Sequence, residues 1–171
     1  DALRGGKHLE QWSWQDIANE LRRDTNGLRN NDHIGAMFDT FYDRRSGFGF
    51  YTNPLGARAD YSVVDEGGSN TDWNPVWTSK TGRFDGGWTV EMAIPLSSLR
   101  FPRTDGEMTW GIDSVRIYPR DQRYRLGLNQ LPRGGNCYLC RVAKLDGIAG
   151  ITPSRNIELA PTVTSARTDQ R

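Results

Sequence analysis

At 171 residues the chain has a one-domain length. A chain of that size buries about 70% of its unfolded surface, so it needs no metal or disulfide framework to fold. Its 22 Lys and Arg against 21 Asp and Glu leave a formal net charge of +1, which argues against a nucleic-acid binder, because phosphate binding needs a concentrated basic face.

No apolar run approaches the roughly 20 residues of a membrane helix. The opening Asp1-Ala2-Leu3-Arg4-Gly5-Gly6 is unlike an initiation site or a signal peptide, so the chain is expected to be a processed product or a fragment of a longer protein. Frequent Gly (19), with Trp, Tyr and Phe at 6 each, fits short strands joined by turns.

Residues 1–15 form a divergent polar segment in which Trp12 and Trp14 are either a docking anchor for a partner or a patch covering the core. Asp16 to Arg23 has Ile17, Ala18 and Leu21 at short helical spacing. It reads equally as a strand over Ala18–Leu21. Asn26-Gly27 and Asn30-Asn31-Asp32 are turn signals. His33 to Phe41, with Ile34, Ala36 and Phe38 alternating, and Phe48 to Thr52 predict a hairpin around Asp43-Arg44-Arg45-Ser46-Gly47. Asn53-Pro54-Leu55-Gly56 ends it, since Pro removes a ladder donor and Gly supplies the turn.

Ala57 to Val64 predicts another strand, followed by the loop Asp65 to Asn70. Asn74 to Thr81 predicts a strand with a Pro start. Phe84-Asp85-Gly86-Gly87 is a tight turn, and Trp88, Val90, Met92 and Ile94 then alternate on one face of a strand. Pro95 to Leu99 is a corner or a single helical turn. Thr109 to Tyr118 is the last strong strand, buried on both faces or bulged at Gly111. Residues 119–150 are Arg-rich and poorly periodic, and 161–171 read as a tail or linker. The pattern predicts an all-β chain, an antiparallel, jelly-roll-like β-sandwich over residues 16–160, with long irregular loops and at most one or two short helices.

Three strings now stand together: Phe50-Tyr51-Thr52-Asn53-Pro54-Leu55-Gly56, Gly87 to Phe101 with its Gly-Trp, Ile-Pro and Leu-Arg-Phe, and Trp110-Gly111-Ile112-Asp113-Ser114-Val115-Arg116. With Asp39-Thr40-Phe41-Tyr42-Asp43 ahead of them, they resemble the family 9 carbohydrate-binding module-like domain. The form in question stands at the N-terminus of bacterial outer-membrane barrel proteins, and the resemblance runs from about Asn19 to Leu159. It implies a β-sandwich, an exported, periplasmic or envelope location and a non-catalytic binding role. The family's early strands are not recognisable ahead of Asp16.

Trp73 and Trp77 are the first ligand candidates, because the apolar face of a pyranose stacks on an exposed indole. Spacing of four on a strand would put both rings on one side. Against this stands the core, the commoner place for Trp in a small sandwich and the expected one for Trp88 and Trp110. Tyr51, Asn53 and Arg116 complete the candidate set. Arg100, Arg116 and Arg120 are also possible ladder partners of Glu91. Asp39, Asp43, Asp60 and Asp65 could supply oxygens to calcium, although no EF-hand spacing is present and turn-forming or Arg-paired carboxylates are the plainer reading. No other cofactor or metal is expected.

Cys137-Tyr138-Leu139-Cys140 reads as a small-loop disulfide in an exported protein, or as a redox pair without the surrounding βαβ pattern. Arg141 stands where haem attachment would need His, and two cysteines are too few for zinc. His8 and His33 are the only histidines, and neither Gly-x-Ser-x-Gly nor His-Glu-x-x-His occurs. No carboxylate pair is singled out for glycoside hydrolysis. The expected function is glycan binding without catalysis. The alternative is a protein-interaction accessory subunit of an envelope or membrane complex that has lost the sugar site.

Overall fold

The computed structural model describes residues 16–64, 68–131, 134–135, 137–155 and 161–165. The strands in chain order are β1 (His33–Asp39), β2 (Gly47–Thr52), β3 (Arg58–Val63), β4 (Ser69–Asn70), β5 (Thr78–Phe84), β6 (Gly87–Ala93), β7 (Met108–Pro119), β8 (Arg123–Gly127) and β9 (Ala143–Ile148). Three short 3-10 turns, Asn26–Asn30, Leu96–Ser98 and Leu139–Arg141, are the only helical pieces among the described residues.

The strands form two antiparallel sheets, one of seven strands and one of two. In the larger, the order is β4-β3-β2-β1-β7-β8, and β9 also pairs with β7. Strand β7 is long enough to hold two partners on one side: β9 along Met108–Ile112 and β8 along Val115–Pro119. The smaller sheet is the β5–β6 hairpin, closed by Asp85-Gly86 with Gly86 at φ +92°, a backbone conformation that suits a residue without a Cβ. The two layers meet around Phe50, Trp77, Leu99, Phe101 and Trp110, with Phe38, Phe48, Met92 and Ile94 packed against them. The chain is thus an all-β antiparallel sandwich, with one layer much wider than the other.

The alternation in the sequence locates β1, β2, β6 and β7 correctly, and the turns between them use the expected residues. Asp43 Oδ1 accepts the backbone N–H groups of Arg45 at 2.8 Å and Ser46 at 2.9 Å in the β1–β2 connection. Strand β7 is buried on both faces, with Trp110 turned into the core and Ile117 onto the opposite face. Its pairing irregularity falls between Met108 and Trp110, not at Gly111.

Three expectations are corrected. Residues 16–23 form neither helix nor strand, because backbone donors at their start go to buried side chains: Ile17 N–H to Asp32 Oδ2 at 2.7 Å, and Asn19 and Glu20 N–H to Asn31 Oδ1 at 3.0 and 3.1 Å. Side-chain acceptors of this kind compete with regular backbone pairing. The strand expected from Asn74 starts only at Thr78. The Arg-rich stretch 119–150 holds two strands, β8 and β9, where none was expected.

Candidate functional site

Successive side chains on a strand point to opposite faces. With Phe38, Phe50 and Trp110 in the core, the alternate residues turn to the outer face of the large sheet. Register then places Tyr51 beside Gly35, Gly35 beside Val115, and Gly49 between Met37 and Tyr61. A groove of about 390 Å³ opens on this face, within the size range of small-molecule clefts, about 300–1,000 Å³.

Glycines shape its floor. A Cβ at Gly49 would lie 2.3 Å from the Tyr61 Cζ, and one at Gly35 would lie 3.1 Å from the Tyr51 Cβ. The Tyr61 ring therefore lies across bare backbone, as a strand glycine permits. Tyr51 meets Tyr61 edge to face at 6.3 Å and packs against the His33 ring at 5.0 Å. All three lining tyrosines, Tyr51, Tyr61 and Tyr138, are half-buried, so each offers both ring surface and a polar end.

Tyr138 arrives from the turn closed by the Cys137–Cys140 disulfide, whose Cα atoms are 5.3 Å apart. Its neighbour Leu139 is 1% exposed and anchors that turn. The Tyr138 hydroxyl donates to Asp113 Oδ2 at 2.7 Å, and Arg125 pairs with the same oxygen. Burial, followed by the bond to Asp113, holds the Tyr138 phenol far above its ordinary value, and burial raises Tyr61 as well. Both phenols are hydrogen-bond donors at neutral pH. Burial lowers His33, and its Nδ1 lies 2.9 Å from the Asn31 carbonyl. A carbonyl only accepts, so the neutral ring carries its proton on Nδ1 and presents Nε2 as an acceptor. Arg29, Arg123 and Arg125 complete the lining with charged donors.

Of the ligand candidates read from the sequence, the structure places only Tyr51 in this groove. Trp77 is 2% exposed and belongs to the core. Its ring meets Phe50 at 5.2 Å, and its Nε1 donates to Asp60 Oδ1 at 2.7 Å. Trp73 is half-buried against Phe48 and Phe50, at 4.8 and 5.6 Å. Neither is an open stacking platform, and Trp88 and Trp110 are buried as expected.

Asn53 is fully buried and structural. It donates to the Glu20 carbonyl at 2.7 Å and accepts from the Leu55 and Ala57 N–H groups at 3.1 and 2.9 Å. Arg116 lies on the inner side of β7, where it and Arg120 face Asp32 at 3.9 and 2.8 Å, not Glu91. Together with Asp16, Arg83 and Trp88 they line a separate cleft of about 140 Å³. Trp12 and Trp14 lie outside the described residues.

The aspartates proposed for calcium do not converge. Asp39 accepts the Asp43 and Arg44 N–H groups at 3.2 and 2.8 Å, and Asp60 is taken by Trp77 and Arg23. Asp43 caps its own turn, and Asp65 lies outside the described residues. No group of three or more potential metal-ligating side chains gathers among the described residues. No helix among them is long and apolar enough to cross a membrane.

Sequence reasoning missed Tyr61, Tyr138, His33 and the three arginines. The usable signal was the run of strand glycines, Gly35, Gly47 and Gly49, since glycine within a strand marks a close approach. Comparison of the chain with protein-family models, with curated proteins and with solved structures returns no match.

Proposed function

We propose that the chain is a non-catalytic carbohydrate-binding module of an exported envelope protein, and that the saccharide lies in the groove over Gly35 and Gly49. One observation carries this reading: Tyr51, Tyr61 and Tyr138 stand half-buried around one groove together with hydrogen-bonding side chains. A pyranose ring needs that combination, because its C–H face packs on aromatic surface while its hydroxyls seek donors and acceptors. Both exist here: the Tyr61 phenol donates, while the His33 Nε2 and the Tyr138 oxygen, whose own proton goes to Asp113, accept. The Cys137–Cys140 bond suits an oxidising compartment outside the cytosol. A glycan array with the full chain, repeated with Tyr51→Ala and Tyr61→Ala, tests the reading. Binding that both variants lose supports it. Binding that survives both overturns the assignment of the groove.

A second reading, an accessory subunit of an envelope complex, is favoured by the edge of the large sheet. Strand β8 ends the strand order; Tyr124 and Leu126 on it and Leu128 just beyond its end are 42%, 58% and 59% exposed. An open edge with apolar side chains suits a protein partner that adds a strand. Purification from the membrane fraction in mild detergent distinguishes the readings: a stoichiometric protein complex lost with Leu126→Lys favours the subunit.

A further inference from the structure

We propose that the groove selects an acidic saccharide, one that bears carboxylate or sulfate groups; this rests on the glycan reading above and names its ligand class. The chain as a whole is nearly neutral at +1, yet its groove is not. Arg29, Arg123 and Arg125 all line it, and no acidic side chain does so among the described residues. The three come from separate places in the sequence. Arg29 lies in the last turn of the 3-10 helix Asn26–Asn30, while Arg123 and Arg125 stand two apart on β8 and so share a face.

The nearby acid beneath this face, Asp113, is 2% exposed. Its Oδ2 already accepts from Tyr138 and Arg125, so its charge is spent inside the protein. Arg123 and Arg29 act to lower His33 against Asp32, and Arg29 and Arg125 act to lower Tyr61 against burial, Tyr51 and Asp113. The arginines thus approach the groove from two elements, the 3-10 turn and β8. A guanidinium fork fits carboxylate and sulfate oxygens with paired, charge-assisted hydrogen bonds. A neutral sugar would use the tyrosines and offer nothing to the charges of Arg29 and Arg123, the two groove arginines that do not pair with Asp113.

Calorimetric titration of the full chain tests this with five probes: polygalacturonate, its carboxyl-reduced form, heparin, desulfated and carboxyl-reduced heparin, and the oligonucleotide dT12. The expected result is binding to one of the acidic polysaccharides at least about tenfold tighter than to its neutral counterpart. Preference for polygalacturonate marks carboxylate as the recognised group, and preference for heparin alone marks sulfate. Arg123→Gln, at an exposed position, should weaken the acidic probe about fivefold and a neutral one by clearly less, because Gln keeps a donor and loses only the charge. Equal or tighter binding of the neutral forms overturns the acidic selectivity and leaves the glycan reading standing. Binding to dT12 alone, or to no probe here and no glycan on the array, overturns both.

Discussion

Trp77 donates its indole N–H to Asp60 Oδ1 at 2.7 Å, and the two side chains are buried at 2% and 1% exposure. Asp60 also takes Arg23 at 2.6 Å, so one carboxylate joins the segment before β1 to β3 and the core. Asp60→Asn weakens a charge-assisted partner for two donors and should cost about 1–3 kcal/mol. Urea denaturation measures it. Trp77→Phe should also destabilise, yet the folded variant should keep its glycan affinity, because Trp77 lies on the face of β3 opposite the groove. Affinity lost at full folding would return Trp77 to the ligand site.

Gly49 is the position where one methyl group does most to the groove. Its added Cβ would meet the Tyr61 ring at 2.3 Å, closer than any relaxed contact. The ring must lift from the sheet or the strands must part. Gly49→Ala should destabilise by about 1–3 kcal/mol, as overpacking does, and should reduce glycan affinity more than Ala substitutions on the opposite face. A variant with unchanged affinity would place the ligand away from Tyr61.

What the sequence made legible follows from burial. Strands β1, β2, β6 and β7 each bury part of a face, so their apolar residues alternate and can be read. Strand β8 is exposed at four of its five positions, and β9 at its four central ones. With no buried face there is no period, and only pairing with β7 defines them. The site was harder to see. Whether Trp77 meets solvent depends on Asp60, 17 residues away, and on a strand that begins at Thr78, just after it. Tyr138 reaches the groove through a disulfide turn and a bond to Asp113, 25 residues earlier, and nothing in its local sequence reports that contact.

The Cys137–Cys140 bond should matter more to the groove than to global stability. It closes a loop of only four residues, for which the chain-entropy relation gives at most about 2 kcal/mol. The same turn fixes Tyr138 over Asp113 and sets Leu139 into the protein. Reduction, or Cys137→Ser with Cys140→Ser, should lower glycan affinity several-fold while the urea midpoint moves little. Tyr138→Phe separates the two causes: it keeps the turn, removes the donor to Asp113, and should reproduce the affinity loss if the hydroxyl orders the groove.

His33 gives the fold a pH dependence whose sign is fixed by its surroundings. Burial is the largest cause of its lowered value, with Arg123 and Arg29 acting the same way and the Asn31 carbonyl and Asp32 opposing; the Tyr51 ring covers one side at 5.0 Å. The unfolded chain therefore binds the proton more readily than the folded one. Stability from this group is complete above the ordinary histidine value of about 6.5, falls as pH drops from there through the lowered folded value, and is level below it. Asp24 and Asp39 shift upward by burial, so they favour the folded state as pH falls through their own raised values in the acid range. The two effects are separated by comparing wild type with His33→Gln. Urea midpoints at pH 7.5, 6.5 and 5.5 should show wild type losing stability relative to the variant, while parallel curves would mean that the imidazole is protonated as easily in the fold as in water.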